Sequence, residues 1–308
     1  MIKKIYNLLK IIRKLSVSGA VEVIDQIKPL PKIIKFVFFI FSLGSNIKTE
    51  KVEKSSGEKL CTALQGMGTT FIKLGQFLAT RPDIIGNETA KNLEKLQDKL
   101  PAFDTRYAKE IIKNEIGERS SRDIISIDEP VAAASIAQVH FAKVKIKNNE
   151  KELAIKILRP NIHKIVNEEL DALMFLAYLI ENLFKKTKRL KLVEVIFLLK
   201  EITNVEMDLR FEAAAASELY ENTKKDNFIK VPKIYWNLTS KQTLALDKVD
   251  SISIRDLDSL KKANIDLKKL SRNLIQLFLK QAVRDGFFHA DMHQGNLFVD
   301  VQGNIIPI

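Results

Sequence analysis

Near the C-terminal end of the sequence, Gly286-Phe287-Phe288-His289-Ala290-Asp291-Met292-His293-Gln294-Gly295-Asn296 brings an acid, two imidazoles and an amide into one short stretch. It lies between an apolar helical pattern, Leu274 to Val283, and a strand pattern, Leu297 to Asp300, which places it on a loop. Loops held between regular elements are where reactive side chains concentrate. One residue separates His289 from Asp291, and four separate Asp291 from Asn296. An aspartate so placed can orient or deprotonate an acceptor, and the asparagine can hold a divalent cation, which is phosphoryl-transfer chemistry. The alternation His289, Asp291, His293 leaves a second chemistry open. On an extended strand these three could point one way and bind zinc for hydrolysis. Stoichiometric zinc in the purified protein would be its sign.

Two upstream stretches bear on the choice. Leu153-Ala154-Ile155-Lys156-Ile157-Leu158 reads as a strand, and a strand lysine can pair with nucleotide phosphates and a helix glutamate. Taken singly, Lys156 is more simply a solvated edge residue. One hairpin earlier stands Val131-Ala132-Ala133-Ala134-Ser135-Ile136-Ala137-Gln138-Val139. Its small side chains let backbone N–H groups approach phosphates, and Ser135 adds a hydroxyl. Alanine does not take up the positive φ values open to glycine, so this cover is expected to be stiffer than a glycine-rich one.

The elements that must position these groups follow from periodicity. Apolar residues at Leu60, Ala63, Leu64, Met67, Phe71, Leu74 and Leu78 predict one long helix over 50–80, closed by Arg81-Pro82. Helices are expected at 87–99 and at 104–117, the second opened by Asp104 and stopped at Gly117. Strands are expected over Val139–Ile146 and Leu153–Leu158, with a turn at Lys147–Glu150. Helices then return at 161–185 and 190–222, the latter carrying Glu206-Met207-Asp208 and Glu212-Ala213-Ala214. Short strands near Tyr235 and at Leu244–Leu246, a helix over 267–284 and a last hairpin through Gln302-Gly303 complete the chain. The reading is α+β and mostly helical.

Composition bounds the function. The 308 residues carry a net charge of +12 and are 46% hydrophobic, enough for a sizeable core and suited to an anionic partner. A single cysteine, Cys61, excludes a disulfide framework and a cysteine-based zinc site, and points to a reducing compartment. One tryptophan and no helix-turn-helix or stacking motif speak against nucleic acid. No stretch reaches the ~20 apolar residues of a spanning helix. A peripheral contact is the alternative: residues 2–15 alternate Ile2, Ile5, Leu8, Leu9 and Ile12 with Lys3, Lys4, Lys10, Arg13 and Lys14, and Phe36–Phe41 is strongly apolar. Such a basic-bordered stripe can lie in a lipid interface, or can pack on the domain as an ordinary helix.

In order, Lys73-Leu74-Gly75-Gln76, the alanine-rich segment, Lys156, Glu206-Met207-Asp208, Glu212-Ala213-Ala214 and His289-Ala290-Asp291 through Asn296 resemble the UbiB family of atypical kinase-like proteins. The resemblance runs from about Gly66 to the last residue. It implies a protein-kinase-like fold with a helical N-terminal extension, ATP and Mg2+ as cofactors, and a role in ubiquinone biosynthesis at a membrane. It further implies that Val131–Val139 covers the nucleotide, that Lys156 meets its phosphates and pairs with Glu212, that Asp291 is the catalytic aspartate and that Asn296 is a metal ligand. Lys73, Gly75 and Gln76, with Glu206 and Asp208, would fill the groove that admits a peptide in kinases. ATP hydrolysis or phosphorylation of a small molecule is then expected, rather than protein phosphorylation. The implied partners are membrane lipids or ubiquinone precursors and other proteins of that pathway, at the cytoplasmic face of the inner membrane. The chain divides on this reading into a basic and apolar segment (1–48), a helical extension (49–120), an N-lobe (121–250) and the start of a C-lobe (251–308).

The chain also departs from the family. Met292 and Gln294 stand where prolines are usual, which frees the loop in the unfolded state. Asn304–Ile308 resembles the strand before the Asp-Phe-Gly motif, and no such aspartate follows it in the sequence. A nucleotide-binding scaffold without turnover is therefore carried beside the enzyme.

Overall fold

A computed structural model describes residues 2–18, 20–21, 25, 30–43, 55–94, 96, 100–147, 149–288 and 296–307. In chain order the helices are α1 (Ile2–Val17), α2 (Lys32–Ser42), α3 (Ser56–Met67), α4 (Thr69–Ala79), α5 (Pro82–Ile85), α6 (Asn87–Leu93), α7 (Thr105–Ser121), α8 (Ile162–Leu183), α9 (Leu192–Glu206), α10 (Leu209–Thr223), α11 (Leu257–Lys262) and α12 (Leu267–Leu279). The strands are β1 (Ile124–Ala133), β2 (Ala137–Ile146), β3 (Asn149–Leu158), β4 (Thr243–Asp247), β5 (Ile252–Ser253), β6 (Leu297–Val299) and β7 (Ile305–Pro307). Two compact units divide the chain: Met1–Ala102 with Ala133–Ala137 and Arg159–Met207, and Phe103–Ala132 with Gln138–Leu158 and Asp208–Ile308.

The first unit is helical. The helix expected over 50–80 is two helices, because Gly68 adopts φ 100° and ψ −172° between α3 and α4. An L-residue rarely takes that conformation, so glycine permits the break while the apolar period runs on across it. Helix α3 opens on a reciprocal cap: Ser55 Oγ accepts from Glu58 N at 3.3 Å and Glu58 Oε2 accepts from Ser55 N at 3.1 Å. Leu60, Leu64, Met67, Phe71, Ile72 and Leu93 are buried where α3, α4 and α6 meet.

Helix α1 packs on α8 and α2, burying Leu8, Ile11 and Ile12. Of the apolar stripe considered for lipid contact, Leu8 and Ile12 are thus used on protein, while Leu9 faces outward with Tyr6, Lys10 and Arg13. Helix α2 differs: none of its residues is buried, and Ile33, Phe36 and Phe39 are 72%, 63% and 60% exposed.

The second unit holds two sheets. The first runs β1-β2-β3-β4, with β3 and β4 antiparallel and Lys156 opposite Leu244. Leu153, Ile155 and Ile157 point into a core with Ala108 and Ile112 of α7. By the two-residue period of a strand, Lys156 faces the other side. Helix α7 carries a non-helical Gly117 (φ 78°), where the sequence predicts its stop. Strand β1 extends the sheet beyond the two strands expected there, and Pro130 is tolerated because β1 is an edge. Near Tyr235 the expected strand is a single bridge, Ile234 to Leu246.

The second sheet is β5-β6-β7, packed with Leu219 of α10, Leu260 of α11 and Leu270 and Leu277 of α12. Helix α12 passes into a π-helical turn, Lys280–Asp285, and ends at Gly286 in the left-handed region (φ 63°). Asp300 closes the β6–β7 turn by accepting from Gln302 N and Asn304 N at 3.0 and 2.9 Å.

Candidate functional site

Lys156 and Glu212 meet although they stand 56 positions apart in the sequence. Lys156 Nζ donates to Glu212 Oε1 and Oε2 at 2.8 and 2.7 Å, and the side chains are 28% and 44% exposed. Strand β3 supplies the lysine from the face opposite its core. Helix α10 supplies the glutamate from its first turn, where a carboxylate is also favoured by the helix dipole.

What phases α10 is Asp208. The expected helix over 190–222 is broken at Met207-Asp208, because Asp208 takes an extended conformation and becomes the N-cap of a new helix. Its Oδ1 accepts from Arg210 N at 3.2 Å, and Arg210 Nε and Nη2 donate to its two oxygens at 2.9 and 2.6 Å. The Arg210 guanidinium holds the Asp208 carboxyl below its ordinary value, against an opposing contribution from burial. Leu209 N donates to Lys241 O at 3.0 Å, and Leu209 and Ala213 are both buried. With positions 209 and 213 turned inward, the helical period sets where Glu212 stands. The other carboxylate of that triplet, Glu206, ends α9 in the first unit and pairs with Lys73 Nζ at 2.8 Å. Gly75, one turn within the same α4, is packed so that an added Cβ would lie 2.4 Å from Leu96 Cδ1 and 2.8 Å from Leu64 Cδ1. Gln76 is half-buried beside it.

The alanine-rich segment is mostly strand. Val131, Ala132 and Ala133 belong to β1 and Ala137, Gln138 and Val139 to β2, leaving a turn of Ala134, Ser135 and Ile136. Ala134 N donates to Ala137 O at 2.8 Å across it. Ser135 is fully buried, its Oγ has no hydrogen-bond partner among the described residues, and its carbonyl accepts from Thr69 Oγ1 at 2.8 Å. The Ser135 hydroxyl, expected to add a donor to the phosphate cover, is thus buried in this turn. Arg159 Nε and Nη2 donate to Ala134 O at 3.1 and 2.8 Å, and Nη1 to Pro101 O at 2.9 Å.

Within the second unit, Gln138 Oε1 accepts from Phe103 N at 2.9 Å and Gln138 Nε2 donates to Phe103 O at 3.1 Å. Gln138 Nε2 also stands 2.8 Å from His140 Nε2, and His140 Nδ1 2.7 Å from Asp128 O. A carbonyl only accepts, so Nδ1 carries the proton and Nε2 accepts from Gln138; both side chains are buried. Thr69, Arg159 and His140 were not singled out from sequence. Arg159 and Thr69 act on backbone carbonyls, which no residue pattern marks.

Asp291, with His289 and His293, lies outside the described residues. Asn296 is half-buried immediately before β6. Among the described residues no group of three His, Cys, Asp or Glu side chains is placed to hold a metal.

A four-stranded sheet whose lysine is gripped by a helix glutamate, followed by α12 and a β-hairpin, defines a kinase-like domain. Residues 95–308 match the profile of the ABC1 atypical kinase-like domain, and the chain belongs to that family. The UbiB resemblance read from its motifs holds over most of its length. It is 36% identical over 279 residues to "Probable protein kinase UbiB" of Marinobacter nauticus, covering 90% of this chain and 50% of that protein. Identity to the protein of the same name from Histophilus somni is 37% over 301 residues, covering 97% and 54%. The chain thus spans about half the length of the curated relatives it matches. Among solved structures, the Rv3197–erythromycin complex from Mycobacterium tuberculosis aligns with 82% of this chain and 63% of that chain at 22% identity and a TM-score of 0.49.

Proposed function

We propose that the chain is the nucleotide-handling part of a UbiB-like atypical kinase, which binds ATP with Mg2+ and hydrolyses it or transfers its phosphoryl group to a small acceptor. The observation that carries this reading is the Lys156–Glu212 pair. The ammonium is held by two oxygens at the end of a side chain that is 28% exposed, which leaves the pair open to an anionic ligand. In this role Lys156 neutralises phosphate charge and Glu212 keeps Lys156 in place. The β1–β2 turn is the nucleotide cover, Asp291 the catalytic aspartate and Asn296 a metal ligand. Bound Mg2+ would supply charge neutralisation at the β- and γ-phosphates. Water or a small molecule is the proposed acceptor, and Lys73, Gly75, Gln76, Glu206 and Asp208 are proposed to exclude a peptide substrate.

The relatives' shared name supports a place in ubiquinone biosynthesis, with pathway proteins and ubiquinone precursors as partners. Attachment at the cytoplasmic face of the inner membrane is part of the proposal. Its support is the exposed apolar residues of α2, together with the exposed cations Lys32 of α2 and Lys10 and Arg13 of α1. No described helix is long and apolar enough to cross a membrane.

The test is thermal stabilisation by ADP or ATP, with and without Mg2+, followed by phosphate release. Stabilisation with release that Asp291→Asn abolishes is the expected result. Stabilisation without release assigns a nucleotide-binding scaffold, and the absence of both rejects the reading.

A further inference from the structure

Asp226 lies just beyond the C-terminus of α10, and its side chain is only 5% exposed. Two cations one helical turn apart converge on it. Lys280 Nζ pairs with Asp226 Oδ1, and Arg284 Nη1 and Nη2 donate to Oδ1 and Oδ2 at 3.2 and 2.9 Å. Arg284 Nη2 also donates to Asn222 O at 3.2 Å, while Nε and Nη2 reach the two oxygens of Asp285 at 2.6 and 2.9 Å. The Lys280 ammonium lies 5.1 Å from the Phe228 ring centroid. One guanidinium therefore ties the end of α10, the turn after it and the π-helical turn that closes α12.

Two features set this cluster apart from an ordinary surface ion pair. Its two carboxylates are 5% and 8% exposed, and such buried pairs add little net stability over an apolar contact of similar size. It is also built into a π-helical turn, a rare form that recurs at functional sites. The turn joins α12 to Gly286, which precedes the acid–amide stretch in sequence, while α10 carries Glu212 at its other end. The planar fork of arginine fixes distance and rotation together, which a lysine in its place cannot.

We infer that Arg284, gripped by Asp226 and Asp285, is a positioning residue that fixes the exit of the chain at Gly286 against the helix bearing Glu212. Its catalytic consequence rests on the nucleotide reading above; its structural consequence does not. Arg284→Lys keeps the ion pair with Asp226 and loses the fork, so the melting temperature should stay close to wild type while amide exchange over 280–288 accelerates several-fold. In phosphate release, kcat should fall at least tenfold with KM for ATP within about twofold, and Asp226→Asn should do the same. Unchanged exchange over 280–288 in both variants overturns the inference, as does a loss confined to melting temperature or to KM. A wild-type chain that releases no phosphate counts against the nucleotide reading alone, and the exchange measurement still decides the role of Arg284.

Discussion

Glu212 accepts from Lys156 Nζ with both carboxylate oxygens, at 2.8 and 2.7 Å, and each partner reaches that geometry by a separate local rule. The alternation of β3 turns Lys156 away from the core that Ile155 and Ile157 enter. The cap at Asp208 starts a new helix, and the inward positions 209 and 213 set its phase. The site therefore depends on the cap at Asp208 as well as on the pair itself.

Replacing Asp208 tests that dependence. Asp208→Ala removes the oxygen that accepts from Arg210 N and leaves Arg210 without its partner, so stability should drop by ~1 kcal/mol, within the range for lost N-caps. Asp208→Asn still caps and should recover most of it. Urea midpoints for the two variants decide the matter: equal losses would mean the cap is not what Asp208 contributes.

A second test uses acid. Tyr235 OH donates to Asp247 Oδ1 at 2.7 Å, and Lys151 Nζ lies 2.6 Å from the same oxygen. Burial opposes the ionised carboxyl, but the hydrogen bonds from Lys151 and Tyr235 outweigh it and hold Asp247 below its ordinary value of 3.8. A carboxylate depressed on folding contributes stability above its unfolded value and loses it as pH falls through the folded one. The urea-midpoint difference between wild type and Asp247→Asn should be full at about pH 6 and shrink below about pH 4. A difference that stays constant across that window contradicts the assignment.

Lipid contact can be separated from folding because α2 buries none of its residues. Phe36→Ser combined with Phe39→Ser should leave the melting temperature unchanged and reduce co-sedimentation with anionic vesicles severalfold. Neutral vesicles should bind less than anionic ones before any substitution, given the exposed Lys10, Arg13 and Lys32. Wild-type-like binding by the double variant would remove α2 from the contact.

Where regular periods govern, the sequence and the structure agree: the β6–β7 hairpin, β4 and α8 fall where the patterns place them, β3 starts earlier than expected, at Asn149, and α12 gives way to the π-helical turn at Lys280 before Gly286. The two unexpected breaks have separate causes. Gly68 interrupts an apolar period that continues across it, and Asp208 reads as one more polar helix position until its side chain turns back as a cap. Strand β1 was hidden because none of its residues is buried and its exposure follows no two-residue alternation. Of the candidate site, the pairing of Lys156 with Glu212 came from family resemblance, since nothing local joins positions 56 residues apart. The grips of Thr69 on Ser135 O and of Arg159 on Ala134 O had no signal to read, because backbone acceptors look alike in any sequence.

The central claim is that Lys156 and Glu212 frame a nucleotide site, and calorimetric titration of ADP into wild type, Lys156→Ala and Glu212→Gln tests it most directly. Wild type should bind. Lys156→Ala should lose ten- to a hundredfold in affinity, about 1.4–2.8 kcal/mol, and Glu212→Gln a smaller part of that, with both variants folded. Equal affinity in all three proteins, or no binding by a folded wild type, would contradict the account.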